Sequence, residues 1–231
     1  MTVLHLADEG EAADLAAFLS RLLHYDRSAA VRLQAAGTAL AVFGRPPSFD
    51  VLAVRAVRLA KPYENGLDVT LDVTVSAGEL LESVDEQAAT SGVPDAVTGP
   101  PWAGVLPPRG GWRTEAGLPA PDALRALVAA GVAEFRARTE ELAAEDRTRA
   151  ELDRIGRDIW SRTVGETGLP VRAVHAAQSL GFLRTPRAPG SSAGEGAPTL
   201  FSSGAWLRLR TPFGSVALRR AGTGALGISV R

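Results

Sequence analysis

The side chains of this chain that could do chemistry are arginines, aspartates and glutamates. Cysteine is absent and histidine occurs three times. The lack of cysteine removes thiol nucleophiles, thiolate metal sites and disulfides from consideration. His5, His24 and His175 are scattered over a strand, a helix end and a later helix, so they read as structural residues rather than a metal cluster. The lone lysine, Lys61, precedes Pro62, so no phosphate loop ending in Lys-Ser/Thr exists. Carboxylate pairs such as Glu140/Glu141 and Asp85/Glu86 lie on charged stretches with nothing to split them into acid and base.

Two glycine motifs match formally and fail in context. Gly222-Thr223-Gly224-Ala225-Leu226-Gly227 has the spacing of a dinucleotide loop, but only four residues follow, too few for the helix that would hold a pyrophosphate. Gly190-Ser191-Ser192-Ala193-Gly194 has the spacing of a nucleophile elbow, yet it sits in a Pro/Gly-rich stretch. The last histidine, His175, precedes it, whereas that hydrolase order needs the histidine afterwards. No catalytic, cofactor-binding or metal-ligating residue is assigned on this reading, and no cofactor is expected.

The arrangement with most chemical promise is at the C-terminal end. In Trp206-Leu207-Arg208-Leu209-Arg210, alternation puts Trp206, Arg208 and Arg210 on one strand face and Leu207 and Leu209 on the other. The return strand offers Val216 and Leu218 to the apolar side and ends in Arg219-Arg220. An aromatic ring beside arginines can stack a flat group and hold an anion. Trp206, Arg208, Arg210, Arg219 and Arg220 therefore form the candidate anionic-ligand face.

Charge is distributed in support of this. The net charge is −1, but residues 1–100 hold 7 basic and 14 acidic side chains. Residues 183–231 hold seven arginines and one acid, Glu195. Such asymmetry implies either pairing between the two ends of the chain or a basic end that meets an anionic partner. Of the 25 basic residues all but Lys61 are arginine, and Asn65 is the only asparagine. With so much alanine and glycine, this points to a GC-rich genome of actinobacterial type, and arginine abundance alone says little about phosphate binding.

The elements that must position these residues follow from periodicity. Asp8 and Glu11 make a capping box for a helix over 8–24, with Leu15, Phe18, Leu19, Leu22 and Leu23 on one face. Ala29, Val31, Leu33 and Ala35 alternate with Arg32 and Gln34, and a turn at Gly37-Thr38 leads into Leu40 and Val42. Residues 51–60 fit either period; their β-branched content favours a strand. Residues 67–75 alternate strictly, predicting a strand paired centrally in the sheet. Ser76 and Glu79 open a short helix.

The order over residues 2–86, ending in the stretch Val73-Thr74-Val75-Ser76 and the helix entry through Val84, resembles one subdomain of a DNA sliding clamp. The likeness covers just over a third of the chain, rests on element order, and has no second copy here. It implies a fold relation and nothing about activity.

The expected class is α+β, a mostly antiparallel sheet with packed helices. The expected organisation is an α+β module at 1–86, a Pro/Gly-rich linker at 87–121 carrying Trp102 and Trp112, a helical segment at 122–182, a flexible linker at 183–204, and a basic hairpin and tail at 205–231. In the helical segment Leu127, Phe135, Ile155 and Ile159 are the expected core. A break near 144–146 would make residues 122–164 a helical pair, and a third helix spans 170–180 after Pro170. The second and third of these helices have a helix-turn-helix outline, with Arg172, His175 and Gln178 on the last, though plain packing explains it better.

No run approaches a membrane span, and the N-terminal residues lack a basic leader, so a cytoplasmic location is expected. The leading functional expectation is a non-enzymatic binding or scaffold protein, acting through protein–protein surfaces or self-association. The alternatives are nucleic-acid association by the basic hairpin, and an enzyme with an Asp/Glu/Arg site.

Overall fold

The computed structural model describes residues 2–62, 71–185 and 196–220. The fold is α+β, and every strand pairing in it is antiparallel. In chain order the elements are β1 (Val3–His5), α1 (Glu9–Tyr25), β2 (Ala30–Ala36), β3 (Ala39–Gly44), β4 (Leu52–Arg58), β5 (Leu71–Ser76), α2 (Ala77–Glu82), β6 (Val84–Asp85) and β7 (Thr90–Gly92). There follow β8 (Arg113–Glu115), α3 (Pro121–Glu140), α4 (Arg149–Trp160), α5 (Val171–Ser179), β9 (Thr199–Ser203), β10 (Trp206–Thr211) and β11 (Gly214–Arg219).

Local chemistry accounts for the first elements. The Asp8 carboxylate accepts from the Glu11 amide at 2.9 Å and starts α1. The glutamate of this box does not reach back to the cap; its carboxylate turns toward the sheet and meets arginines there. β2 and β3 form a two-residue hairpin that needs a left-handed residue, supplied by Gly37 at φ +57°. Ser76 caps α2 by accepting from the Glu79 amide.

The main sheet has eight described strands in the order β5-β2-β3-β4-β11-β10-β9-β8. β1, β7 and β6 form a separate small sheet. The strand expected to be central, 67–75, is β5 and lies at the edge. Its first four residues, through Thr70, fall outside the described ones. The reason is tertiary: β4 takes β11 as its second neighbour, which extends the sheet away from β5. Leu71 and Val73 are accordingly only half-buried.

One sheet face carries the core. Leu15, Phe18, Leu19 and Leu22 of α1 pack on Val31, Leu33, Val42 and Ala53, and all are buried. The hairpin β10–β11 turns at Pro212-Phe213 and gives Leu207, Leu209, Val216 and Leu218 to the same face, all buried as alternation requires. Gly214 admits no side chain, since a Cβ there would lie 2.6 Å from the Phe182 ring. α5 packs against β11 with Val171, Ala173, Val174, Ala176 and Ala177 buried. Two of the residues expected to face a groove are packed instead: His175 is half-buried against Phe49 and Trp160, and Arg172 is half-buried beside it.

α3 and α4 form a helical pair, broken by a 3-10 turn at Ala144–Asp146. Ile155 and Ile159 are buried as expected, whereas Leu127 and Phe135 are half-buried. The pair stands at the margin of the core, and the Phe135 ring borders a cavity instead of being enclosed.

Residues 87–121 are more than a connection. They supply β7 and β8 to the two sheets and cross the outer face between them. The expected flexible linker, 183–204, likewise contains the buried Leu183 and strand β9. Its Gly190–Gly194 motif lies outside the described residues, as does Gly222–Gly227.

Candidate anion-binding site

Among the described residues no α-helix covers the second face of the main sheet; only a 3-10 turn, Pro101–Gly104, lies on it. Side chains of that face alternate with those of the core: Asp72 and Thr74 on β5, Arg32 and Gln34 on β2, Ala41 and Phe43 on β3, and Leu52, Val54 and Ala56 on β4. Across the β4–β11 seam follow Ser215, Ala217 and Arg219, and then Trp206, Arg208 and Arg210.

The segment from Val97 to Trp112 straps this face. It is fixed at one edge by the Val97 amide donating to the Thr74 carbonyl at 2.9 Å. At the other, the Ser203 hydroxyl donates to the Gly110 carbonyl at 3.2 Å. Midway, Arg32 donates to the Ala103 carbonyl, and Trp102 and Leu106 cover an apolar patch of Phe43, Leu52 and Val54. Trp112 is held by its indole N–H donating to the Pro108 carbonyl at 2.9 Å.

Sheet and strap enclose a cleft of about 620 Å3. Its floor is small and apolar, with Ala39, Ala41, Val54 and Ala56, and its charged groups are Arg32, Asp72, Arg109 and Arg208. Arg32 and Asp72 are committed to each other through two hydrogen bonds of 2.7 and 2.8 Å, and Gln34 adds a third to Asp72 at 3.0 Å. The Arg32 hydrogen bond holds the Asp72 carboxyl below its usual range, with smaller help from Gln34 and Arg109.

Arg208 is in a different condition. Its Nε donates to the Ser215 hydroxyl at 2.9 Å, and its guanidinium lies 5.8 Å from the centre of the Trp112 ring. It has no carboxylate partner among the described residues. Burial lowers its pKa from the usual arginine range, and Arg210 lowers it further. A half-buried guanidinium under an indole, with donors left over, is built to accept an anion.

Of the five residues nominated from the sequence, the structure brings Trp206, Arg208, Arg210 and Arg219 to this face. Only Arg208 lines the cleft; Arg210 and Arg219 are exposed toward opposite ends of the hairpin. Arg220 does not join them, because it pairs with Glu115 at 3.1 Å. Among the other late arginines, Arg184 pairs with Asp14 and lies over the Phe213 ring at 3.9 Å. Arg187 and Arg231 lie outside the described residues. Pairing between the two ends of the chain thus absorbs Arg184 and leaves Arg208 available.

Sequence reasoning missed Arg109 and the Arg32–Asp72 pair. The alternation of β2 puts Arg32 and Gln34 on the polar strand face, and that is the signal the sequence offers. What it lacked was the strap, whose path depends on pairings some 90 residues apart, as in Ser203 to Gly110, separated by 93. Among the described residues no group of three His, Cys, Asp or Glu side chains could hold a metal ion, and no helix is long and apolar enough to cross a membrane.

Comparison with known families divides the chain in two. Residues 107–223, just over half of it, match the family described as Domain of unknown function (DUF8185). The chain belongs to the DUF8185 family. Residues 1–104 match a second family model, Domain of unknown function (DUF8010). No curated protein matches the chain. The junction between the DUF8010 and DUF8185 regions falls in the strap, next to Val105. The main sheet is shared: β2 to β5 come from the DUF8010 region and β8 to β11 from the DUF8185 region. The cleft is shared too, with Arg32 and Asp72 from the first region and Arg109 and Arg208 from the second.

Proposed function

We propose that this is a binding protein without chemistry of its own, and that its strapped cleft receives an acidic side chain of a partner protein. The observation that carries this reading is Arg208, a half-buried cation lacking a carboxylate among the described residues and facing a cleft with Arg109. The alanine-lined floor beside it gives an apolar surface for the residues flanking such a carboxylate. A segment mixing acidic and small apolar side chains is the matching occupant.

Nucleic acid suits the face less well. Its affinity comes from neutralising many phosphates, and the cleft sets one carboxylate, Asp72, among its three arginines. The N-terminal region, with twice as many acidic as basic residues, would also repel a polyanion.

The test is a titration of the full chain with a Glu/Ala-rich peptide and, in parallel, a single-stranded oligonucleotide, at low and physiological salt. The expected result is peptide binding that weakens with salt, falls at least tenfold in Arg208→Met, and is not matched by the oligonucleotide. Binding of the oligonucleotide alone would replace this reading with nucleic-acid association. No binding of either would remove the cleft as the functional surface.

A further inference from the structure

A second cavity, independent of the cleft, lies on the opposite side of the sheet, between the end of α1, the β3–β4 loop and the three later helices. Its volume is about 980 Å3. Its walls are rings: Phe49, Phe135, Trp160 and His175, with Tyr25 at one end. These rings support one another. Phe49 meets Tyr25 edge-on at 5.3 Å and His175 edge-on at 5.0 Å, and Trp160 lies tilted over His175 at 4.4 Å. Gly156 lies beside both Phe135 and Trp160: a Cβ there would touch them at ordinary contact distances, 3.7 Å and 3.6 Å, so a longer side chain would extend between the two rings.

Two cations line this cavity, Arg157 and Arg172, and neither forms an ion pair among the described residues. The Nε of Arg172 is shut off from solvent and has no hydrogen-bond acceptor there. The Nε of Arg55 in the core is in the same condition, so this atom marks no ligand; it is the rest of the Arg172 side chain that lines the cavity. Of the two carboxylates in the lining, Asp50 is engaged by Arg45 at 2.7 Å, and Asp153 by Arg149 at 3.5 Å. Burial lowers the pKa of His175, which favours the neutral ring and an aromatic-wall role.

We propose that this cavity binds a small flat aromatic molecule bearing an anionic group, with its ring between Phe135 and Trp160 and its anion on Arg172 and Arg157. Aromatic walls select the ring by stacking, and the planar guanidinium fork selects a carboxylate or phosphate.

The experiment is calorimetric titration of the full chain with 2-naphthoate and with 2-naphthamide, which share a ring system and differ in charge. Naphthoate is expected to bind at least tenfold more tightly than naphthamide. Arg172→Met is expected to weaken naphthoate at least tenfold and leave naphthamide within twofold. Gly156→Leu, which fills the slot from a site with ordinary contact distances, is expected to abolish both while α4 stays folded by circular dichroism. Should Arg172→Met fail to fold, Arg157→Met on the exposed side of α4 carries the charge test, with at least a threefold loss for naphthoate alone. Equal binding of the two probes, no binding of either, or full naphthoate affinity in a folded arginine variant would overturn the proposal.

Discussion

Arg55 and Arg208 belong to one sheet and point to opposite faces of it. Arg55 is 4% exposed and held through both terminal nitrogens: it donates to Glu11 at 2.8 Å and to the Phe213 carbonyl at 2.9 Å, with Asp14 at 3.3 Å, and only its Nε lacks an acceptor among the described residues. Arg208 has one hydroxyl and one ring. A charge taken out of water is tolerated when its partners are complete, and removal of one member then strands the others. A charge left half-served contributes little to folding and is free to serve a ligand. The same residue type is structural on one face and available on the other, and partner count and burial together tell them apart.

The largest effect should come from the closed network. Arg55→Met takes from Glu11 its buried partner, leaving it the half-exposed Arg58, and frees the hairpin turn, so urea denaturation should show a loss of about 3–5 kcal/mol. A loss below about 1 kcal/mol would mean that the network is decorative and would break the comparison.

Next in size is a pair at the margin of the core. Ile159 is 1% exposed, and Ile159→Ala should cost about 2–4 kcal/mol. Phe135 lies half-open on the aromatic cavity, so Phe135→Ala should cost only about 1–2 kcal/mol, below the usual range for a core phenylalanine. Equal losses would return Phe135 to the core.

A smaller effect is expected from pH. Burial holds the His175 imidazole below its ordinary value. The folded chain therefore binds fewer protons than the unfolded chain as the pH falls through about 6.5. This component of stability is complete above that value and declines below it. His175→Phe should flatten the slope of melting temperature against pH between neutrality and about pH 5. An unchanged slope would assign the acid sensitivity elsewhere.

The smallest effect sharpens the contrast most. Arg208→Met exchanges an incompletely served cation for an apolar chain of similar length, and should shift stability by no more than about 0.5 kcal/mol in either direction. A large loss would make Arg208 a second Arg55 and leave the cleft without its anchor.

The parts of this arrangement that could be read from the chain are those whose causes are local. The Asp8 cap, the Leu15-to-Leu22 stripe, the Gly37 turn and the alternation through Leu207 and Leu209 each depend on neighbours within a few residues, and each is present. Placement at the sheet edge is not local. Strand β5 alternates as strictly as a central strand does, and only the pairing of Ser215–Ala217 with Leu52–Val54 decides that the sheet grows from its other side. Arg208 was legible as a face residue because strand alternation is local. Its cleft was not, because Trp112, Arg109 and Ala103 reach it from a proline-rich segment without periodicity. Arg172 and His175 were legible as residues of the third helix, but their cavity was not, because Phe49 and Phe135 reach it from distant parts of the chain.

The β4–β11 seam has a consequence for synthesis on the ribosome. Arg55 and Phe213, which meet across it, are 158 residues apart. At about 5–20 residues per second, the free edge of β4 waits roughly 8–30 s for its neighbour to be made. Throughout that interval a strand with Leu52, Ala53, Val54 and Val57 in it is paired to β3 on one side and open on the other. The nascent half of the sheet is thus a stage at which this chain offers an open strand edge to another copy of itself.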